Sequence, residues 1–191
     1  MSLHAIIEEF PERRVFPIDR ATWRAMIDSG AFVGRRAELI RGVIVEMSPQ
    51  NQPHARVIQN LTRLLFEALG RRADVRCQLP LVAIDHSEPE PDLAVVPIEA
   101  LDDHPSAPHL VIEVSDSSLR YDRLAKRELY AESGYPEYWI VDLARRRVEV
   151  YRQPAGDAYA TCEVIEADGS LVIAAFPDVR IALAAMFEAV R

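Results

Sequence analysis

Two acidic side chains stand where apolar strands are predicted. Asp92 begins the apolar run 92–96, and Glu113 lies inside the apolar run 110–115. Burying an ionised carboxylate is costly, so a buried one is normally paired, protonated or bound to a metal. If the two runs are neighbouring strands, the carboxylates converge and suit Mg²⁺, which takes one or two carboxylates with water and phosphate oxygens. The alternatives are a turn acid for Asp92 and the partner of a buried arginine for Glu113.

Lys126 is the only lysine in a chain whose other long cations are all arginine. A lysine offers a phosphate a compact charge and changes its pKa readily near other charges, whereas a guanidinium stays protonated. The alternative is a surface ion pair with Asp122, four residues earlier on a predicted helix, worth about 0.3–0.5 kcal/mol. Helical spacing leaves both interpretations of Lys126 open. The residue lies off the apolar stripe that includes Leu124 and Leu129, but it shares a face with Tyr130.

Three further polar residues carry weaker signals. Glu38 is an acid in an otherwise apolar predicted hairpin, where it can simply face solvent. His54 can meet a phosphate, although an ordinary helix-start role is favoured. Ser115 lacks the G-x-S-x-G elbow of serine hydrolases. The chain also lacks a Gly-rich phosphate loop, H-E-x-x-H and C-x-x-C, which excludes the commonest nucleotide-binding and zinc sites.

The composition is that of a globular protein, and we expect a single domain over residues 1–191. The chain is 49% hydrophobic and 27% charged, which argues against disorder and against a disulfide scaffold. No apolar run approaches the roughly 20 residues of a membrane helix, and no secretory signal is recognisable, so we expect a cytoplasmic protein without a membrane partner. Cys77 and Cys162 lack zinc-site spacing, and we expect two small, buried, reduced side chains.

The formal net charge of −8 argues against strong nonspecific binding to nucleic acid. A local basic groove is still compatible with it, because arginines cluster at Arg71, Arg72 and 145–147. Solvated turn and strand-edge charges explain the same arginines equally well.

Short strands and helices alternate along the chain. In chain order we predict a helix at 21–27, a hairpin around Arg41-Gly42, a helix at 53–69, strands at 74–84, 92–96 and 110–115, a helix at 119–133, a hairpin around Ala144-Arg145, strands near 158–165 and 171–174, and a helix from about Leu183.

Several of these segments, taken together, resemble the Uma-two family of candidate endonucleases. The resemblance rests on ELIRGVIVEMSP followed by His54, on PDLAVV, and on LVIEVSDSSLRYDRLAKRELYAESGYPEYWIVD, and it spans about residues 36–152. The family is placed in the PD-(D/E)XK restriction-endonuclease-like superfamily. The resemblance therefore implies an α/β (α+β) fold with a restriction-endonuclease-like core, in which helices flank a central mixed β-sheet.

The resemblance assigns roles to individual residues. Pro91-Asp92 matches the PD element and Glu113 the acid of the E-x-K element, which implies a metal site of Asp92, Glu113 and the main-chain carbonyl of Val114. The third position of E-x-K is Ser115 in this chain, so the resemblance implies Lys126 as the replacement. Glu38 matches the acid of the ELI-x-G motif and is implied as a further metal or proton-accepting residue.

The implied activity is hydrolysis of nucleic-acid phosphodiester bonds, with Mg²⁺ as cofactor and Mn²⁺ as its substitute. Lys126 would orient the attacking water and offset the charge of the transition state. We expect DNA as the favoured substrate, and a homodimer, because cutting both strands needs two active sites.

Two other functions are compatible with the sequence. Ser115 and the acidic charge both favour a non-catalytic nucleic-acid-binding or interaction module that retains the fold. A glycosidase-like hydrolase with paired carboxylates has less support, because Glu113 lacks the aromatic surroundings that suit a sugar.

Overall fold

The structure of the chain is a computed structural model, described here for residues 16–84, 86–99 and 102–188. Two compact units are formed: one from residues 16–47 and 86–88, the other from the remaining described residues. The single domain over 1–191 stays a prediction. Residues 1–15, on which the expected lack of a secretory signal depends, lie outside the described residues.

The smaller unit contains a helix and a hairpin, as predicted. Helix α1 (Arg20–Asp28) is capped by Asp19, whose carboxylate accepts a hydrogen bond from the Thr22 N–H at 2.7 Å. Strands β1 (Ala37–Ile40) and β2 (Val43–Glu46) pair antiparallel. Arg41 and Gly42 join them with φ angles of 51° and 76°, as tight hairpin turns require. A Cβ on Gly42 would lie 2.5 Å from the Cβ of Pro17, so glycine is needed there.

The larger unit is built on a six-stranded mixed sheet. Its strands are β3 (Asp74–Cys77), β4 (Leu93–Val96), β5 (Leu110–Ser115), β6 (Glu137–Asp142), β7 (Arg147–Ala155) and β8 (Ala158–Ile165). They lie side by side in chain order, and all neighbours are antiparallel except β5 and β6, which are parallel. The predicted α/β (α+β) architecture with a central mixed sheet is confirmed.

A long helix covers one face of this sheet. Helix α2 (Gln52–Leu69) begins after Asn51, whose side chain accepts a hydrogen bond from the His54 N–H at 3.1 Å. Its apolar side chains, including the fully buried Leu61 and Leu65, join one hydrophobic core with the sheet. Burying each such leucine contributes roughly 1.5–3 kcal/mol, so the apolar stripe of the helix determines which face meets the sheet.

A second, irregular helix contacts other sheet residues. It consists of α3 (Leu119–Tyr121), a π turn (Asp122–Lys126) and α4 (Arg127–Glu132), together called the interrupted helix below. The ring of Tyr130 on α4 packs against the ring of Tyr138 on β6, with centroids 5.0 Å apart. The predicted helix over 119–133 is therefore present, but it is not a continuous α-helix.

Side-chain alternation along β5 separates its two faces. Leu110, Ile112 and Val114 belong to the core shared with α2. Successive side chains of a strand point to opposite faces, so Glu113 and Ser115 point away from that core. Both contact residues of the interrupted helix. This alternation places Glu113 and Ser115 on the face of the sheet that the interrupted helix covers.

The end of the chain adds a small sheet. Strands β9 (Ser170–Ile173) and β10 (Phe176–Ala182) pair antiparallel, and helix α5 (Leu183–Met186) follows. The sequence did not predict β10. Within the described ranges, no helix has both the length and the apolar character needed to span a membrane.

Both cysteines are exposed thiols, so the prediction that they are buried is wrong. The reason is their position in the sheet. Cys77 ends β3 and Cys162 lies on β8, and these are the two edge strands. An edge strand has a neighbour on one side only, which leaves more of its side chains in contact with solvent.

Candidate active site

The two strand acids lie next to each other, as the sequence predicted. Strands β4 and β5 are antiparallel neighbours with Leu93 opposite Ile112, which sets Asp92 beside Glu113. The Asp92 N–H donates to Glu113 Oε2 at 3.3 Å, and the Val114 N–H donates to Asp92 Oδ2 at 2.9 Å. Both side chains are largely buried, with Asp92 8% and Glu113 6% exposed. Two carboxylates therefore converge at one point of the sheet.

Lys126 meets Glu113 in the interior. Its side chain is buried, and Nζ lies 3.2 Å from Glu113 Oε1. The Tyr130 hydroxyl donates to the same oxygen at 2.7 Å. The alternative of a surface ion pair with Asp122 is wrong, because both residues are buried and the ammonium pairs with the strand acid. Glu113 is thus the partner of a buried lysine. The alternative drawn from the sequence was a buried arginine as its partner.

The π turn positions the helix-borne groups. The Arg127 N–H donates to the carbonyl of Asp122, five residues earlier, which defines the wider turn. The Tyr138 hydroxyl donates to the same carbonyl at 3.3 Å. Leu124 on the predicted apolar stripe is 51% exposed, whereas Asp122 and Lys126 are buried. The apolar stripe therefore predicted the wrong buried face for the part of the helix before Leu129.

Ser115 takes up a specific role at the E-x-K position. Its hydroxyl donates to Asp122 Oδ2 at 2.6 Å, and the Ser118 hydroxyl donates to the same oxygen at 2.7 Å. Burial raises the pKa of Asp122, and the two serine hydroxyls and the charge of Lys126 oppose this rise only in part. Serine at this position thus ties the strand to the start of the turn that carries Lys126.

His54 contacts the first acid. Its Nε2 lies 3.2 Å from Asp92 Oδ2. Burial lowers the pKa of His54, but the hydrogen bond and charge of Asp92 outweigh burial, and the carbonyl of Val114 adds to them, so the pKa lies above 6.5. Nδ1 is buried without a hydrogen-bond partner in the part of the chain that the structure describes. The sequence favoured an ordinary helix-start role for His54. The one sign of a role in the site was that a histidine after the ELIRGVIVEMSP segment is part of the family resemblance.

Gln78 is a site residue that the sequence did not indicate. It follows β3 with a φ of 52°, and its side-chain amide donates to Asp92 Oδ1 at 3.3 Å. Its N–H donates to the carbonyl of Asp92 at 3.1 Å. The positive φ turns the side chain toward the acid, and nothing in the residue type announces such a conformation.

The structure brings Asp92, Glu113, Val114 and Lys126 together within the larger unit. Glu38 belongs to the smaller unit, on β1 opposite Val45, and it is 4% exposed. The alternative that it faces solvent is therefore wrong.

Three of the five arginines for which the sequence left a local basic groove open are paired with acids. Arg72 pairs with Asp178, and Arg145 and Arg147 pair with Asp142. These two acids offset part of the charge of the three arginines, which favours the alternative of turn and strand-edge charges.

The donor set fits a hard divalent cation. Among the described residues, no group of three or more His, Cys, Asp or Glu side chains is arranged to hold a metal. Mg²⁺ needs fewer protein ligands, because it commonly uses one or two carboxylates and completes its shell with water and phosphate oxygens. Asp92 and Glu113 supply two such carboxylates from neighbouring strands. Oxygen donors of this kind suit Mg²⁺ or Mn²⁺, whereas zinc sites favour cysteine and histidine.

Comparison with known proteins agrees with this architecture. A family model named Uma2, described as "Putative restriction endonuclease", matches residues 32–184. The chain is also similar to a crystal structure of "a putative nuclease belonging to DUF820" from Anabaena variabilis, with 21% identity and a TM-score of 0.66 over 79% of this chain and 89% of that one. No curated protein matches. The restriction-endonuclease-like fold predicted from the sequence is confirmed.

Proposed function

This chain belongs to the Uma2 family, and from that membership and its paired buried carboxylates we propose that it is a metal-dependent nuclease that hydrolyses phosphodiester bonds. The observation that carries the proposal is the convergence of Asp92 and Glu113 on adjacent strands, with Lys126 3.2 Å from Glu113. A buried acid pair with a single buried lysine is an expensive arrangement for a purely structural role, and such arrangements are concentrated at functional sites.

Asp92 and Glu113 are the residues that would hold Mg²⁺, or Mn²⁺ in its place, with the carbonyl of Val114 as a further ligand. When bound, the metal polarises a phosphoryl oxygen and lowers the pKa of a water molecule. Hydrogen bonds to Asp92 from the Val114 N–H and the Gln78 amide fix the direction of its carboxylate. The Tyr130 hydroxyl does the same for Glu113.

Lys126 is the residue of this chain that places a positive charge beside the paired carboxylates. It holds a proton at Nζ beside Glu113 Oε1. From there an N–H can be donated to the attacking water or to a phosphate oxygen as negative charge builds up in the transition state. The predicted role of Glu38 as metal ligand or base rests on the family resemblance alone and stays a prediction.

We further propose nucleic acid, with DNA favoured, as the substrate, and a homodimer as the working form for cutting two strands. Light scattering on the purified protein checks the second point, and a monomeric mass at micromolar concentration would contradict it. The predicted cytoplasmic location stays a prediction.

Calorimetric titration with Mg²⁺ and Mn²⁺ tests the metal site. We expect binding by the wild type, loss of binding in Asp92→Asn, and unchanged binding in the matched control Asp74→Asn, because Asp74 is an exposed acid of the same unit. The titrations are repeated with a phosphorothioate oligonucleotide, since phosphate oxygens complete the shell of Mg²⁺.

Cleavage of labelled DNA and RNA oligonucleotides completes the test. We expect metal-dependent cleavage by the wild type and by Asp74→Asn but not by Asp92→Asn. If the wild type and Asp92→Asn bind Mg²⁺ and Mn²⁺ equally, or neither binds them, with and without oligonucleotide, the metal site is refuted and the non-catalytic module is favoured.

A further inference from the structure

A groove lies alongside the first two thirds of α2 and the end of β3, within the larger unit. Its volume is about 620 Å³. Among the described residues, nine line the groove: six carry an amide, a hydroxyl or a guanidinium group, and none of the nine is acidic. The whole chain carries a net charge of −8, so a surface with two arginines and no acid is a local exception.

The two arginines differ in how exposed their charge is. Arg63 lies 3.4 Å from Glu67 one helical turn later, which offsets part of its charge. Arg56 is exposed and makes no ion pair with any residue in the described ranges 16–84, 86–99 and 102–188. An exposed guanidinium beside side-chain amides matches the donor pattern that phosphate oxygens accept.

Two residues that are close in sequence to the groove lining contact Asp92. On α2, the lining residues Gln52 and Ala55 flank His54, whose Nε2 lies 3.2 Å from Asp92. On β3, the lining residue Cys77 precedes Gln78, which donates to the same carboxylate. From Gln52 to Arg63 the helix wall is about 16 Å long, which corresponds to several nucleotides of one strand.

We propose that this groove binds the sugar–phosphate backbone of a nucleic-acid strand next to the scissile phosphate, with Arg56 as its main phosphate contact. The inference rests on the proposed nuclease function and adds the path of the substrate to it.

Charge reversal in the groove gives the first test. Binding of a fluorescein-labelled 15-nucleotide DNA strand, and of the matching RNA strand, is measured by fluorescence anisotropy in EDTA, where the metal-dependent step is absent. We expect Arg56→Glu to weaken binding at least tenfold. The matched control is Arg180→Glu, which makes the same charge change at an exposed arginine on β10 and should change the affinity less than twofold.

The two native thiols give the second test, because Cys77 lines the groove and Cys162 lies on β8. The rate of reaction with iodoacetamide is measured for Cys77 in the Cys162→Ser variant and for Cys162 in the Cys77→Ser variant. We expect a saturating DNA strand to slow the reaction of Cys77 at least fivefold and to leave that of Cys162 within twofold.

The outcomes separate this inference from the proposed function. If the strand is bound and cleaved while Arg56→Glu binds like the wild type or Cys77 stays unprotected, the groove is not its path and the nuclease function stands. If no strand binds and none is cleaved, both proposals fail. Protection of Cys77 and weak binding by Arg56→Glu without any cleavage would support the groove and point to a non-catalytic module.

Discussion

Asp92 and Glu113 are positioned by strands, whereas Asp122 and Lys126 are positioned by a π turn. On the strands, two antiparallel neighbours with regular alternation hold the acids through two main-chain hydrogen bonds. On the helix, an extra residue in one turn, a tyrosine hydroxyl and two serine hydroxyls hold the groups in place. The strand half of the site, Asp92 and Glu113, depends on regular sheet geometry. The helix half, Asp122 and Lys126, depends on a departure from regular helix geometry.

The difference shows where the site is sensitive to substitution. A strand acid keeps its direction as long as the sheet register is kept. Lys126 depends in addition on the local shape of one turn and on the charge of Glu113. Removing either member of this buried pair leaves the other charge uncompensated, which is where we expect the largest effects.

Glu113→Gln is the variant with the largest expected effect. It leaves Lys126 buried without its acid, so we expect the free energy of unfolding to fall by about 3–5 kcal/mol. Adding Lys126→Met to the same chain should recover most of this loss. Urea unfolding followed by circular dichroism measures both, with the exposed Glu128→Gln as control, expected to change stability by less than about 0.5 kcal/mol. Stability equal to the wild type in Glu113→Gln would show that the strand half does not depend on the helix half.

Lys126→Arg tests the shape requirement of the helix half. The charge is kept, but the planar guanidinium does not reproduce a compact ammonium in a buried position. We expect single-turnover cleavage to slow about 100-fold, a typical cost of losing one transition-state donor, while Mg²⁺ affinity stays within a few-fold. The control Arg120→Lys, an exposed residue of α3, should cleave like the wild type. Full activity of Lys126→Arg would remove Lys126 from the catalytic residues.

His54→Gln gives the smallest expected effect and depends on pH. Because the pKa of His54 in the folded chain lies above 6.5, its pairing with Asp92 stabilises the protein fully below pH 6.5 and is lost as the pH rises through the folded pKa. We expect the variant to be less stable than the wild type by about 1 kcal/mol at pH 5.5 and by less at pH 8.5.

Thermal unfolding at the two pH values measures this difference. In an Asp92→Asn background the pH dependence of the His54→Gln effect should disappear. A difference that grows as the pH rises would contradict the assignment of this contact.

Much of the fold follows from local patterns. The alternation of apolar runs and turn residues predicted β4, β5 and the hairpin at Arg41-Gly42, and the apolar spacing of α2 predicted its length. Strand β10 was missed because Pro177 and Asp178 interrupt its apolar alternation. The exposed cysteines were missed because a sequence does not reveal which strands become sheet edges.

The site was predictable to the extent that regular geometry builds it. Asp92 and Glu113 follow from polar residues in apolar strands. The pairing of Lys126 with Glu113 was not readable from spacing, since a period of 3.6 residues does not hold across a π turn. Gln78 depends on a left-handed backbone conformation, and His54 on a contact between distant segments, and neither has a local sequence signal.

The π turn also affects how this helix is compared with its relatives. Each residue of an α-helix advances by about 100° around the axis, so a turn with one residue more shifts the phase of everything that precedes it relative to everything that follows. For a relative whose helix lacks that extra residue, a correct alignment needs a one-residue gap within Asp122–Lys126. An ungapped alignment would place interior positions of one protein against surface positions of the other, even where the letters agree.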